Sequence, residues 1–187
     1  MVLNVNDFKA KLNGGVRSNL FKITLASPVN GLEVANVGAF LAKTGELPGS
    51  TITPIILPFR GRQLKISGDK TFDPWTVTIM NDPEFKIRKA LEQWMSGINN
   101  HEDGQGTNDN YFVDLRIESQ DREGNTLRAY KLKDAWPSDL GPIAVSFDAE
   151  NQLQEYQVTF QYQYWTAGET ENSTDLIEDG KGFNGSI

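Results

Sequence analysis

No cysteine occurs in the 187 residues, so disulfides, thiolate metal sites and cysteine nucleophiles are excluded, and stability has to come from packing. Histidine is almost absent too. His101 stands alone in a polar stretch beside Glu102 and Asp103, where a metal site would need a further ligand from elsewhere. A serine nucleophile would have to recruit the same imidazole, and no strained nucleophile turn lies nearby. A solvated loop is the favoured reading. Gly61, Gly68, Gly97 and Gly104 lack the spacing that cradles a phosphate between strand and helix, so no nucleotide site or other cofactor is expected. No apolar run reaches the roughly 18 residues that would span a bilayer as a helix. The opening MVLNVNDFKAKL has neither the charged start nor the apolar centre of a secretory signal, so no membrane segment and no export route are expected. Positive charge is also in deficit. The 18 basic residues face 25 acidic ones, a net charge of -7, and such a chain repels phosphate rather than holding it.

What is present is alternation. Phe21, Ile23 and Leu25 alternate with Lys22 and Thr24, and Asn30-Gly31 offers a hairpin turn after them. Arg62, Leu64 and Ile66 share one parity, and Trp75, Val77 and Ile79 another, which predicts two strands joined through 67–74. Tyr111, Val113, Leu115 and Ile117 alternate with Asp114, Arg116 and Glu118, then turn near Arg122 to Asn125 into a strand over 126–135. A strand through Ile143, Val145 and Phe147 is expected next. It leads to the longest alternation, with Tyr156, Val158, Phe160, Tyr162 and Tyr164 on one side and Gln157, Thr159, Gln161, Gln163 and Trp165 on the other.

Two helices are predicted. A short one, capped by Asn6 or Asp7, carries Phe8 and Leu12 and stops at Gly14-Gly15. The substantial one spans about 83–98, capped at Asp82 with Pro83 in its first turn and a stripe of Ile87, Leu91, Trp94, Met95 and Ile98. Between Gly45 and Phe59, three prolines interrupt an apolar run containing Ile52, Ile55, Ile56, Leu57 and Phe59, which reads as a long loop or edge segment. The fold class is therefore mainly β: two packed antiparallel sheets, a sandwich or open barrel, with one flanking α-helix. Residues 1–165 form this domain. Residues 166–187, with Glu169, Glu171, Asp175, Glu178 and Asp179 against Lys181, form an acidic flexible extension.

Two candidate chemistries remain. Asp114, Glu118, Asp148 and Glu155 could supply a carboxylate pair of the glycosidase kind, although their polar parity favours a solvated face. Trp165, on the polar parity of the last strand, is the best candidate for a sugar-binding surface, against a buried contact as the commoner outcome. Neither points to an enzyme.

Four segments carry a resemblance. They are Arg17-Ser18-Asn19-Leu20-Phe21; Leu47-Pro48-Gly49-Ser50; Asp73-Pro74-Trp75-Thr76-Val77-Thr78-Ile79 with Asn81-Asp82 and the helix behind it; and Leu132-Lys133-Asp134-Ala135-Trp136-Pro137. In this order and spacing, over most of 17–165, the chain resembles the tail tube proteins of contractile-tailed bacteriophages. Related tubes occur in type VI secretion systems, tailocins and other contractile injection systems. The resemblance implies a structural subunit of the virion tail, assembled in the host cytoplasm as hexameric rings that stack into a conduit for DNA ejection. Its partners would be further copies of itself, tail sheath, baseplate hub, tape measure and tail terminator proteins, with DNA passing through the lumen without specific binding. In that setting Leu47, Ile52, Ile55, Ile56, Leu57 and Phe59 are the expected inter-ring contact loop, and Gln157, Gln161 and Gln163 the lumen wall. The alternatives are the tube of a tailocin or secretion device and, in a different class, a carbohydrate-binding β-sandwich.

Overall fold

The computed structural model describes residues 4–26, 28, 39, 41–100, 104, 106, 111–148 and 150–168. The proposed turn at Asn30-Gly31, the His101 loop and residues 169–187 lie outside them. Nine strands and two helices are formed among the described residues. The strands are β1 (Phe21–Thr24), β2 (Ala42–Gly45), β3 (Thr51–Phe59), β4 (Arg62–Thr71), β5 (Trp75–Met80), β6 (Val113–Gln120), β7 (Thr126–Leu140), β8 (Glu155–Gln161) and β9 (Tyr164–Gly168). The helices are α1 (Val5–Leu12) and α2 (Lys86–Ile98).

The expected architecture of two antiparallel sheets is present, and one strand belongs to both. The first sheet runs β1-β6-β7-β9 and the second β7-β8-β5-β2. β7 pairs with β6 and β9 through its first ten residues and with β8 through Trp136 to Leu140. The switch falls at Asp134, whose φ of 53° is a left-handed conformation that breaks the register and turns the strand. Alternation then does the rest. Ile23, Leu115, Ile117 and Leu132 from the first sheet meet Trp75, Val77, Ile79, Tyr156, Val158 and Phe160 from the second in one core.

α2 covers the open side of that core with Ile87, Ala90, Leu91 and Trp94. Trp94 lies 6.3 Å from the Phe160 ring and donates its indole N–H to the carbonyl of Tyr111 at 2.9 Å. The helix starts at Lys86, three residues later than its sequence suggests. Pro83 and Glu84 form a turn, and the Asp82 carboxylate reaches forward to accept the amide N–H of Lys86 at 3.1 and 3.2 Å. In α1 the cap is Asn4, whose side chain accepts from the amide of Asn6, rather than Asn6 or Asp7, and left-handed Asn13 ends the helix just before Gly14-Gly15.

Three strand assignments change. Of the two readings for Gly45 to Phe59, a long loop or an edge segment, the second holds: after a short connector the chain becomes β3, paired with β4 along its length, apart from a bulge near its start, in a separate two-stranded hairpin. Prolines fit there for a geometric reason. Arg60 and Gly61 both have positive φ and form a two-residue turn, so Phe59 and Arg62 close the ladder as a hydrogen-bonded pair. Counting back, Pro54 and Pro58 occupy non-hydrogen-bonded sites, where the nitrogen faces outward and no ladder bond is lost. No strand forms through Ile143 to Phe147, where Val145 and Phe147 are exposed; β7 instead continues through Pro137, tolerated because this half of the strand has an open side. The final alternation breaks at Tyr162 and Gln163 into β8 and β9, and β9 extends to Gly168, with Thr166 and Ala167 buried.

Leu91 is 2 % exposed under the helix, so Leu91→Ala should cost about 2–5 kcal/mol. Urea denaturation followed by tryptophan fluorescence measures this; a cost under about 1 kcal/mol would show that the helix does not seal the core.

Candidate assembly surfaces

The β3–β4 hairpin is an arm that leaves the sandwich, and a strand pair has two faces. The register places Ile55, Leu57 and Phe59 opposite Ile66, Leu64 and Arg62 on one face, while Ile56 lies among Pro54, Pro58, Gln63, Lys65 and Ser67 on the other. The five apolar side chains of the first face are each between 44 % and 67 % exposed. A hairpin cannot fold over itself to hide such a face, and a contiguous apolar patch of this kind marks an interaction surface. The expected contact set is thus divided. Ile55, Leu57 and Phe59 share a face, Ile52 and Ile56 belong to the other parity, and Leu47 sits on the connector before the arm. Leu64 and Ile66 complete the apolar face. Their alternation was visible in the sequence, but it pointed equally well to a core strand.

At the arm's root β4 carries a bulge, since Ile52 faces Lys70 and Pro54 faces Ser67. A Cβ on Gly68 would stand 2.4 Å from the Thr53 carbonyl oxygen, so glycine is required for the two strands to approach here.

The outer faces of the two sheets differ in charge. On the second sheet Thr44, Thr76, Thr78, Gln157, Thr159 and Gln161 point away from the core, and Thr76 and Thr159 share a hydrogen bond of 3.1 Å. This band is polar and uncharged, with the Lys43–Glu155 ion pair and Asp139 at its margins. Gln163 does not join it; it lies in the bend between β8 and β9, where its amide N–H bonds the Lys133 carbonyl at 3.0 Å. On the first sheet the corresponding face carries Lys22, Arg116, Lys131 and Lys133 against Asp114 and Glu118.

Those carboxylates are structural. Burial alone would raise the pKa of Asp114, but hydrogen bonds from Lys133 at 2.8 Å and Lys131 at 3.0 Å, with the Asp134 amide, outweigh it and hold the group below its usual range. The same contact raises Lys133. Glu118, expected on a solvated face, is 3 % exposed, with Arg116 at 2.7 Å on one oxygen and the Thr126 hydroxyl donating at 2.7 Å to the other. Glu155 is on the other sheet and Asp148 in a turn, so the four candidate acids do not converge. Among the described residues no group of three or more His, Cys, Asp or Glu side chains could hold a metal ion. A groove of about 710 Å³ separates α2 from β7, but its charged residues are satisfied locally: Arg88 bonds Glu92 at 2.9 Å and the Gly141 carbonyl at 2.8 Å. Trp165 is no flat sugar platform either. The break at Tyr162–Gln163 reverses the phase of the strand, turning Trp165 inward to meet Tyr130 edge-on at 5.5 Å.

A sandwich with a projecting arm that exposes a contiguous apolar face, and whose candidate acids Asp114 and Glu118 are tied into ion pairs, belongs to the class of structural subunits that work by assembling. The comparisons make this specific. The family of phage tail tube proteins matches residues 5–168, and the chain belongs to it. The tail tube protein of Enterobacteria phage T4 is 30 % identical over 156 residues, covering 80 % of this chain and 90 % of the relative. That of Serratia phage KSP90 is 26 % identical over 165 residues, covering 84 % and 93 %. In fold, the chain resembles a subunit from the sheath–tube complex of the extracellular contractile injection system PVC, with a TM-score of 0.64 at 12 % identity over 90 % of this chain and 100 % of that one. It is a structural component of the tail.

The Asp114 cluster sets an acid limit. A carboxyl with a lowered folded pKa contributes stability that is present above its unfolded value near 3.8 and is lost as pH falls through the folded value. Asp114→Asn should therefore be less stable than the parent at pH 6, with the difference shrinking below about pH 4. Denaturation midpoints at pH 6 and pH 3 test this; an unchanged difference would remove the ion pair from the account.

Proposed function

We propose that this subunit closes into hexameric rings that stack into a hollow tube, through which DNA leaves the virion for the host cell. The observation that carries the reading is the arm. Its five apolar side chains are about half exposed, so covering them would contribute roughly 1 kcal/mol each, several kcal/mol per contact, before the costs of association. The same surface on a lone protein would invite aggregation. A second copy in the neighbouring ring is its natural cover, with Ile52, Ile55, Ile56, Leu57, Phe59 and Leu47 at or near the contact. Ring closure has its own motive. β1 and β2 are the outer strands of the two sheets, and joining such edges between copies satisfies their free backbone groups and fixes a stoichiometry.

The lumen wall is the outer face of the second sheet. DNA must slide past without being held, which favours an uncharged polar lining such as Gln157, Gln161 and the threonines beside them over the lysine-rich face opposite. Gln163 belongs at the rim of this band. The first sheet then faces outward, toward a tail sheath; a sheath as partner is in keeping with the injection-system neighbour, which was solved as a sheath–tube complex. Baseplate hub, terminator and tape measure proteins complete the set of partners, and assembly takes place in the host cytoplasm. Residues 166–187 contribute the end of β9 and an acidic extension.

Electron microscopy of the purified chain across a concentration series should show rings and hollow filaments, and a strictly monomeric protein at high concentration would sink the reading. Ile55→Asp with Leu57→Asp should leave a folded subunit whose threshold for polymerisation rises at least about 30-fold, the loss of some ~2 kcal/mol of contact energy. In filaments, Gln157→Lys with Gln161→Lys should create salt-sensitive DNA retention. No change in retention would place the band away from the bore.

A further inference from the structure

Two tryptophans of the sandwich bond to the segment that leads into the arm. Three of the four tryptophans donate the indole N–H to a backbone carbonyl: Trp94 to Tyr111 inside the body, Trp75 to Glu46 at 2.7 Å, and Trp165 to Gly49 at 3.0 Å. Glu46 and Gly49 both belong to the connector that leads from β2 into the arm. One tryptophan holds each end of Glu46-Leu47-Pro48-Gly49. The return strand is held at the same level, where Lys70 lies over the rings of both Phe72 and Trp165 at 5.3 and 5.7 Å, and Phe72 packs against Tyr162 at 6.1 Å.

We propose that Trp75 and Trp165 are positioning residues for assembly: by clamping the Glu46–Gly49 connector they hold the arm, before any partner arrives, in the direction it needs to reach the next subunit. The inference rests on the reading that the arm makes the contact between copies. The arm has two strands and no buried residue of its own beyond its root, so its direction is set at that root, by the two indole bonds on the entering connector together with the Lys70 and Phe72 contacts of the return strand. A subunit whose arm is correctly directed only a fraction of the time binds with an affinity reduced by that fraction, although every contact in the finished tube is unchanged. Pro48 acts in the same sense, because its fixed φ lowers the number of paths the connector can take.

Trp165→Phe keeps an aromatic ring beside Tyr130 and Lys70 while removing the N–H to Gly49 with part of the indole; Trp75→Phe removes the bond with Glu46 in the same way, at a buried core position where Trp94→Phe gives the matching loss of packing. Trp94→Phe is the control, deleting an indole bond of the same kind that does not touch the arm. Because the chain has no cysteine, spin labels can be placed at Gln63→Cys on the arm and Arg122→Cys on the body, and their distance distribution read below the polymerisation threshold. Trp165→Phe should broaden this distribution and raise the threshold about tenfold, as expected if one arm in ten is correctly directed, while the tubes that form look normal. Trp94→Phe should lower the denaturation midpoint but leave the distribution and the threshold as in the parent. Should Trp165→Phe and Trp75→Phe polymerise at the parental threshold, or the label distances stay equally narrow, the clamp is overturned and the tube reading stands. A parent chain that never polymerises overturns both.

Discussion

A single strand shared by two sheets is the constraint on which the structure depends. β7 pairs with β6 and β9, turns at Asp134, and then pairs with β8, so the sheets cannot slide or separate without breaking one continuous backbone. The bend carries its own electrostatic brace. Asp114, on the neighbouring strand, accepts from Lys131 and Lys133 just before the turn and from the Asp134 amide at it. Glu118 and Arg116 extend the brace along β6, with the Thr126 hydroxyl satisfying the buried carboxylate's second oxygen. Two of the four acids that might have formed a catalytic pair, Asp114 and Glu118, are thereby committed to holding the strand.

A body fixed in this way can carry an arm that has no core. Two strands alone bury too little to be stable, so β3 and β4 depend on their attachment to the sandwich and on whatever covers them later. The division of labour is visible in composition. The body's apolar residues face each other across the sandwich, while those of the arm face away from it. Pro54 and Pro58 add a safeguard, since they leave the outer edge of β3 without two of its N–H donors and discourage uncontrolled strand addition there.

In the proposed tube the contrast between the two sheet faces acquires a meaning. A neutral band of threonine and glutamine and a charged face rich in lysine lie on opposite sides of a thin sandwich, and a tube wall needs two surfaces with different tasks. The inner one must release what passes, and the outer one must bind a neighbour. The chain's overall acidity is misleading about either surface, because the average charge hides how the sheets distribute it.

Local alternation by itself determined β5, β6, the first part of β7, the apolar stripe of α2 and the mainly β class, because side-chain period follows directly from backbone geometry. The apolar, proline-broken segment before Phe59 was recognisable as unusual, and the order of short segments identified the family. Tertiary structure decided the rest. Leu64 and Ile66 alternate as a core strand would, and only pairing with β3 puts them on the arm. Pro137 reads as a break, yet the strand continues because its proline-bearing half has one open side. Trp165 has the parity of the glutamines until the bend at Tyr162–Gln163 shifts the phase by one residue and turns it inward. Periodicity specifies which residues share a face within a strand, but the neighbour of each strand, and therefore which face is buried, is settled only by contacts distant in sequence.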